Sequence, residues 1–275
     1  MRQFIAESDI DKNGCLFVTG KKFRYLSTVL RCSAGDMIDV RLLDGTLQPM
    51  TVARIDSQEK KIVLQVAGDR VQIKKNEARA LEKNTALPEM WLFQFVAKPP
   101  KMELIIRQAT ECGVSTILPV NGEFCQKPYV ESAIKKSASK DMRWERIVTE
   151  ARQQSGSPLE TKVSVVLSLE EAVRAYKERE AELSCSKEES LKVVLYEQSE
   201  GTVPLGKAVC KTGLIKLAAF VVGAEGGISP QEIETLKKTG FIPVHLQTNI
   251  LRCETAALYA AAALQTLLLE NVNGA

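Results

Sequence analysis

The stretch FVVGAEGGISPQEI, Phe220 to Ile233, sets Gly223, Gly226 and Gly227 around Glu225 at the end of an apolar run and leaves through Ser229, Pro230 and Glu232. Glycine has no Cβ, so such a loop can bring backbone amide and carbonyl groups close to a ligand. An ordinary strand-to-helix turn is the other reading. The spacing matches neither the GxGxxG dinucleotide fingerprint nor the GxxxxGKS/T phosphate loop. Farther on, Arg252, Glu254 and Thr255 stand at the start of the apolar run NILRCETAALYAAAALQTLLLE. Arginine near a helix N-terminus opposes the helix dipole, which suits a guanidinium placed for chemistry, or else one paired with Glu254 or Glu225.

Other chemistries have little to build with. The 275 residues include seven cysteines, an odd number, with no CxxC pair, and His245 is the one histidine. Zinc sites and Ser-His or Cys-His nucleophile pairs are therefore improbable, and no metal is expected. Scattered thiols of this kind fit a reducing, cytoplasmic setting. The N-terminal MRQFIAESDIDKNG has no apolar signal core, and Ala256 to Leu269 is shorter than the roughly twenty residues that cross a bilayer, so no membrane is expected. Hydrophobic content of 45% and charged content of 26% are those of a globular protein, and a net charge of +3 permits contact with nucleic acid without arguing for it.

The elements that must position these residues fall into two rhythms. Up to residue 72 the runs CLFVTG, DMIDVRLLDG, PMTVARID and KIVLQVAGD alternate and end in Gly or Asp turns, as strands of a small barrel do. The helical KKFRYLSTVLRC interrupts them, with a basic face that either meets phosphate or is simply solvated. Residues 73–88, polar and closing on a proline, read as a linker between domains. From 89 to 275 strands alternate with helices: MWLFQFVA, STILPV, TKVSVVL, LKVVLYE, KLAAFVVG and IPVHL predict an α/β domain with about six parallel strands. Ser168 with Glu171 predicts a capping box, and Gly113 and Gly156 predict helix ends. Ligands of a parallel sheet collect beyond the carboxyl ends of its strands, which selects the loops after Glu197, around Gly223 to Gly227, and at Gln247 to Asn249. The last helix has almost no polar face beyond its first turn, so it is expected to be buried all round, by a central position or by a second subunit.

In order along the chain, VLRCSAGDMIDVRLLDG, AKPPKMELIIRQATECGVSTILPV, RWERIVTEARQQSG, VVGAEGGIS and NILRCETAALYA resemble the successive motifs of the RsmE-type ribosomal RNA methyltransferases of the SPOUT superfamily. The resemblance implies a PUA-like RNA-binding β-barrel over 1–72 and, over 89–275, a SPOUT methyltransferase domain with a deep trefoil knot, one of the exceptions to unknotted topology. It implies a homodimer that forms N3-methyluridine in 16S ribosomal RNA of the small subunit with S-adenosylmethionine. The cofactor would be held by Leu195, Gly223, Gly226, Gly227, Ile228, Leu246, Ile250, Leu251, Arg252 and Thr255. Arg252 would be the catalytic residue, stabilising negative charge on the uracil carbonyls, and Arg2, Lys21, Lys22, Arg24, Arg31, Lys98 and Lys101 would grip RNA.

Several positions depart from that pattern. Ala224 stands where proline is usual, Gln247 where glycine is, and Thr248 and Asn249 where proline and a basic residue are common. Tyr25, Gln108, Phe124 and Ser157 replace a histidine and three basic residues. These changes fall on the expected RNA surface and cofactor mouth. They leave an alternative, an RNA- or ribosome-binding relative with a shifted substrate or without catalysis.

Overall fold

The computed structural model describes residues 3–67, 88–138, 143–198, 200–209 and 214–273. The chain divides into two compact units, Met1–Asn84 with Gln153–Pro158, and Thr85–Arg152 with Leu159–Ala275. Apart from Pro88, the expected linker 73–88 lies outside the described residues.

In the first unit β1 (Gln3–Ile5), β2 (Cys15–Val18), β3 (Met37–Arg41), β4 (Leu47–Asp56) and β5 (Lys61–Val66) form one sheet in the order β1-β3-β4-β5-β2. β1 runs parallel to β3 and every other pair is antiparallel. Alternating residues put Leu16, Val18, Val40, Met50, Val52, Ile62 and Leu64 into one core with Phe4 and Leu26. Helix α1 (Gly20–Arg24) continues directly into a π-helical turn, Tyr25–Val29, so the interrupting helix is shorter, and wider in its second half, than KKFRYLSTVLRC suggested.

The second unit carries a seven-stranded sheet in the order β10-β12-β9-β11-β6-β7-β8, with every ladder parallel. Its strands are β6 (Glu89–Phe95), β7 (Thr116–Val120), β8 (Lys162–Val163), β9 (Ser190–Leu195), β10 (Val203–Pro204), β11 (Leu217–Val222) and β12 (Ile242–His245). The unforeseen strand is the two-residue β10, too short to leave a periodic signal. All of β11, LAAFVV, is buried, because helices cover the sheet on both faces. On one side pack α2 (Pro99–Glu111), α3 (Lys127–Ala138), α4 (Arg143–Ser155), α6 (Leu205–Val209) and α8 (Cys253–Asn273), and on the other α5 (Leu169–Glu182) and α7 (Pro230–Lys238).

Local chemistry sets where these helices begin and end. Pro99 and Pro100 open α2, where a missing N–H costs nothing, and Gly113 at φ +75° ends it. Capping boxes open α5, at Ser168 and Glu171, and α7, at Ser229 and Glu232. Within one chain the last helix is buried on one face only, which corrects the reading of a central position. Ala257, Ala260, Ala261, Leu264 and Leu268 are buried, whereas Thr255, Tyr259, Ala262 and Thr266 face outward. Each buried leucine there is worth about 1.5–3 kcal/mol of hydrophobic stabilisation, and the outer stripe contributes none within one chain.

Candidate functional site

The carboxyl ends of β9, β11 and β12 open into loops that enclose a cavity of ≈ 340 Å³. Leu195, Tyr196 and Glu197 come from the end of β9, and Val222 to Glu225 with Gly227 and Ile228 follow β11. Val244 to Leu246 and Thr248 to Cys253 link β12 to α8, and Ala256 and Lys101 close the wall from α8 and α2. This is where ligands gather in an open parallel sheet, and the volume lies within the range of small-molecule sites.

The glycine loop is explained largely by its own packing. A Cβ on Gly223 would stand 2.8 Å from the carbonyl carbon of Gly227, and one on Gly226 would stand 3.0 Å from Phe124 Cβ. Gly227 has φ +81°, a left-handed conformation that a side chain strains. A backbone bridge between Ala224 and Gly227 folds the loop on itself. Beneath it Gln94, fully buried, donates from Nε2 to the Gly223 carbonyl at 3.2 Å and the Phe95 carbonyl at 2.9 Å. The glycines thus let the loop approach itself, and Gly223 and Gly227 then face the cavity.

Lys101 organises the charges at the wall. Its ammonium lies 3.0 Å from the Glu254 carboxylate and 3.4 Å from that of Glu225, which also accepts the Lys98 backbone N–H at 3.1 Å. Burial alone would raise the Glu254 carboxyl, but the helix backbone N–H and Lys101 lower it below its ordinary value. Lys101 is raised, its partial burial outweighed by the two carboxylates and by Cys253. Cys253 donates its thiol to Glu254 at 3.3 Å, and burial foremost, with both glutamates adding, pushes it up to about 12. A thiol so shifted is a packing group.

Arg252 is exposed, lines the cavity, and makes no ion pair or side-chain hydrogen bond among the described residues. The sequence left open whether it pairs with Glu254 or Glu225. Lys101 takes that place instead. The structure brings Leu195, Gly223, Gly227, Ile228, Leu246, Ile250, Leu251 and Arg252 together around the cavity. Gly226 packs on Phe124 and Thr255 faces outward from α8, so neither lines it. Gln247 is exposed and outside the lining, and its side chain leaves the cavity open. Sequence reasoning missed Tyr196, Glu197 and His245; the loop after Glu197 was chosen by position, and a lone histidine carried no motif.

The expected RNA-gripping residues divide. Arg2 lies outside the described residues, and Lys21, Arg24, Arg31 and Lys98 are exposed. Lys22 turns inward: its ammonium donates to the Ile5 carbonyl at 3.0 Å, meets Glu7 at 3.6 Å and lies over the Phe4 ring. Burial lowers it below the ordinary lysine value. Lys101 belongs to the cavity wall. Among the described residues no group of side chains could hold a metal, and no helix is long and apolar enough to cross a membrane.

The sequence model of the family described as RNA methyltransferase domain matches residues 83–265. Ribosomal RNA small subunit methyltransferase E from Aquifex aeolicus is 31% identical over 79% of this chain and 90% of its own. The protein of that name from Bacillus subtilis is 28% identical over 94% and 93%. Among solved structures, a putative methyltransferase from Legionella pneumophila in complex with the bound cofactor SAM has a TM-score of 0.72 at 23% identity, covering 96% of each chain. Ribosomal RNA small subunit methyltransferase E from Neisseria gonorrhoeae, bound to S-adenosyl methionine, has a TM-score of 0.70 at 23% identity, over 97% and 98%. The fold is shared with both, and by family match and identity the chain belongs to the RNA methyltransferases of the ribosomal RNA small subunit methyltransferase E type.

Proposed function

We propose that the chain transfers a methyl group from S-adenosylmethionine to N3 of a uridine in 16S ribosomal RNA of the small subunit. The observation that carries this reading is the cavity at the ends of β9, β11 and β12, with Arg252 unpaired on its wall, in a chain of this family. The donor set fits a bent, cationic nucleoside. Leu195, Val222, Ile228, Leu246 and Leu251 offer apolar surface for a purine and ribose, and the carboxylates of Glu197 and Glu225 line the same cavity with Lys101 and Arg252.

When bound, S-adenosylmethionine supplies an electrophilic methyl group on a sulfonium. The protein's share is alignment, exclusion of water and stabilisation of charge. As N3 loses its proton, negative charge grows on the uracil carbonyls, and the Arg252 guanidinium can donate to them while staying charged. Leu195, Gly223, Gly227, Ile228, Leu246, Ile250 and Leu251 would hold the cofactor, with Gly226 acting one layer out.

The finer architecture belongs to the same proposal. The segment from Leu246 to Arg252 returns from β12 past the ends of β9 and β11 to α8, which packs beside α2, and this path supports a trefoil knot. The five-stranded sheet around its own core supports a PUA-like RNA-binding domain over 1–72, joined by a linker at 73–88 to the SPOUT domain at 89–275. The outward stripe of Thr255, Tyr259, Ala262 and Thr266 supports a homodimer, and the setting is the cytoplasm. Small subunits from cells lacking this methylation, incubated with the protein and isotope-labelled cofactor, should gain label at one uridine N3. Label on another base or atom would reject the substrate assignment.

A further inference from the structure

We propose that Lys101 is a positioning residue for methyl transfer: its ammonium holds Glu225 and Glu254, and so keeps the Arg252 guanidinium out of an ion pair that would withdraw it from the substrate. The inference rests on the role given to Arg252 above and names the residue that leaves Arg252 available for it. The Lys101 ammonium lies 3.0 Å from Glu254, 3.4 Å from Glu225 and 3.9 Å from the Cys253 sulfur. An ammonium carries three N–H donors, and these three neighbours occupy it. Lys101 thereby ties the glycine loop after β11 to the first turn of α8, and Arg252, just before that turn, makes no ion pair among the described residues.

Burial decides which carboxylate would take Arg252 if Lys101 were absent. Arg252 lines one cavity with Glu197 and Glu225 and stands two residues before Glu254. Glu197 is exposed, and Arg252 does not pair with it even though both line the cavity. Water and salt screen such a pair until it is worth little. Glu254 and Glu225 keep only 16% and 31% of their side chains exposed, so a cation beside them is screened less and attracted more. Burial works against the charge on Glu254, but a backbone N–H at the start of α8 favours it, as Lys101 and Cys253 do. Without Lys101 that N–H remains, and Glu254 stays an acceptor within two residues of a guanidinium whose planar fork fits a carboxylate.

The test is a double-mutant cycle of Lys101→Met and Arg252→Ala on the intact chain. It is read as single-turnover methyl transfer at saturating small subunits and labelled S-adenosylmethionine, below the melting point of every variant, with calorimetry of S-adenosylhomocysteine alongside. With Arg252 present, Lys101→Met should slow transfer about three- to tenfold, the share of guanidinium that one partly shielded ion pair withdraws, and change S-adenosylhomocysteine affinity less than about threefold. In the Arg252→Ala background the same change should cost less than about twofold, because no guanidinium remains to be withdrawn. Glu254→Gln added to Lys101→Met removes a competing charge and should speed transfer by about twofold or more, and Lys101→Arg, which keeps the cation, should stay within about twofold of wild type. Equal losses in both backgrounds, an unchanged rate in Lys101→Met, or no gain from Glu254→Gln overturns the inference and leaves the methyl-transfer reading intact. A wild type that transfers no label, or Arg252→Ala as fast as wild type, overturns the reading of Arg252 and this inference together.

Discussion

The Lys101 ammonium lies 3.0 Å from the Glu254 carboxylate, a place that the sequence left open to the guanidinium of Arg252. One lysine thereby holds two carboxylates and leaves the arginine two residues from Glu254 unengaged. Lys101→Met should cost about 1 kcal/mol at neutral pH, the worth of a partly shielded ion pair. The lowered Glu254 carboxyl contributes stability above the ordinary carboxylate range and loses it as pH falls through its folded value. Lys101, raised, contributes below its ordinary value and loses this only as pH climbs through the higher folded one. Denaturant titrations at pH 7 and pH 3 should therefore show the gap between variant and wild type closing in acid.

Arg252 makes no ion pair or side-chain hydrogen bond among the described residues, which leaves it available for the proposed role. Arg252→Ala should lower methyl transfer about a hundredfold while changing cofactor affinity by no more than about threefold, as expected of a donor that works on developing charge. Single-turnover rates and calorimetry separate the two. Equal losses would assign Arg252 to the pocket wall alone.

Gly223 and Gln247 should behave oppositely. In Gly223→Ala the new methyl meets the Gly227 backbone at 2.8 Å, so the loop must move. A loss of about 1–3 kcal/mol and a tenfold or larger fall in cofactor affinity are expected. Gln247→Ala removes an exposed side chain outside the lining and should leave affinity within about twofold. Melting curves and cofactor titrations on both variants check the contrast.

Basic residues of the first unit divide the same way. Removing Lys21, Arg24 or Arg31 one at a time should weaken RNA binding most at low salt, about equally for every RNA sequence, and reduce the salt slope by about one for each phosphate that is no longer neutralised. Lys22→Ala should chiefly destabilise the fold, because that ammonium is bound to the Ile5 carbonyl, Glu7 and the Phe4 ring. Binding isotherms over a salt series, with melts alongside, distinguish the roles.

What was legible in the sequence is what local chemistry fixes. The shortness of the apolar run LAAFVV suited a strand covered on both faces, and Ser168 with Glu171 could cap a helix without any tertiary help. The loops of the cavity were found because a parallel sheet gathers its loops at one edge. The choice between Lys101 and Arg252 as partner of Glu254 was not legible, since it depends on α2 and α8 lying side by side although 152 residues separate Lys101 from Cys253. The inward turn of Lys22 was hidden for a like reason: helical spacing says which face a residue shares, and only the packed β1 strand supplies the Ile5 carbonyl that draws the ammonium in. Nor could periodicity show that α8 buries one stripe and leaves Tyr259 at the surface, because its alanines look alike on every face.

The account stands most directly on calorimetric titration of the intact chain with S-adenosylmethionine. One saturable site per chain, with a dissociation constant in the range of about 1 µM to 1 mM usual for enzyme ligands and full competition by S-adenosylhomocysteine, is the result it predicts. Absence of binding up to several times that range, with the protein folded, would contradict it.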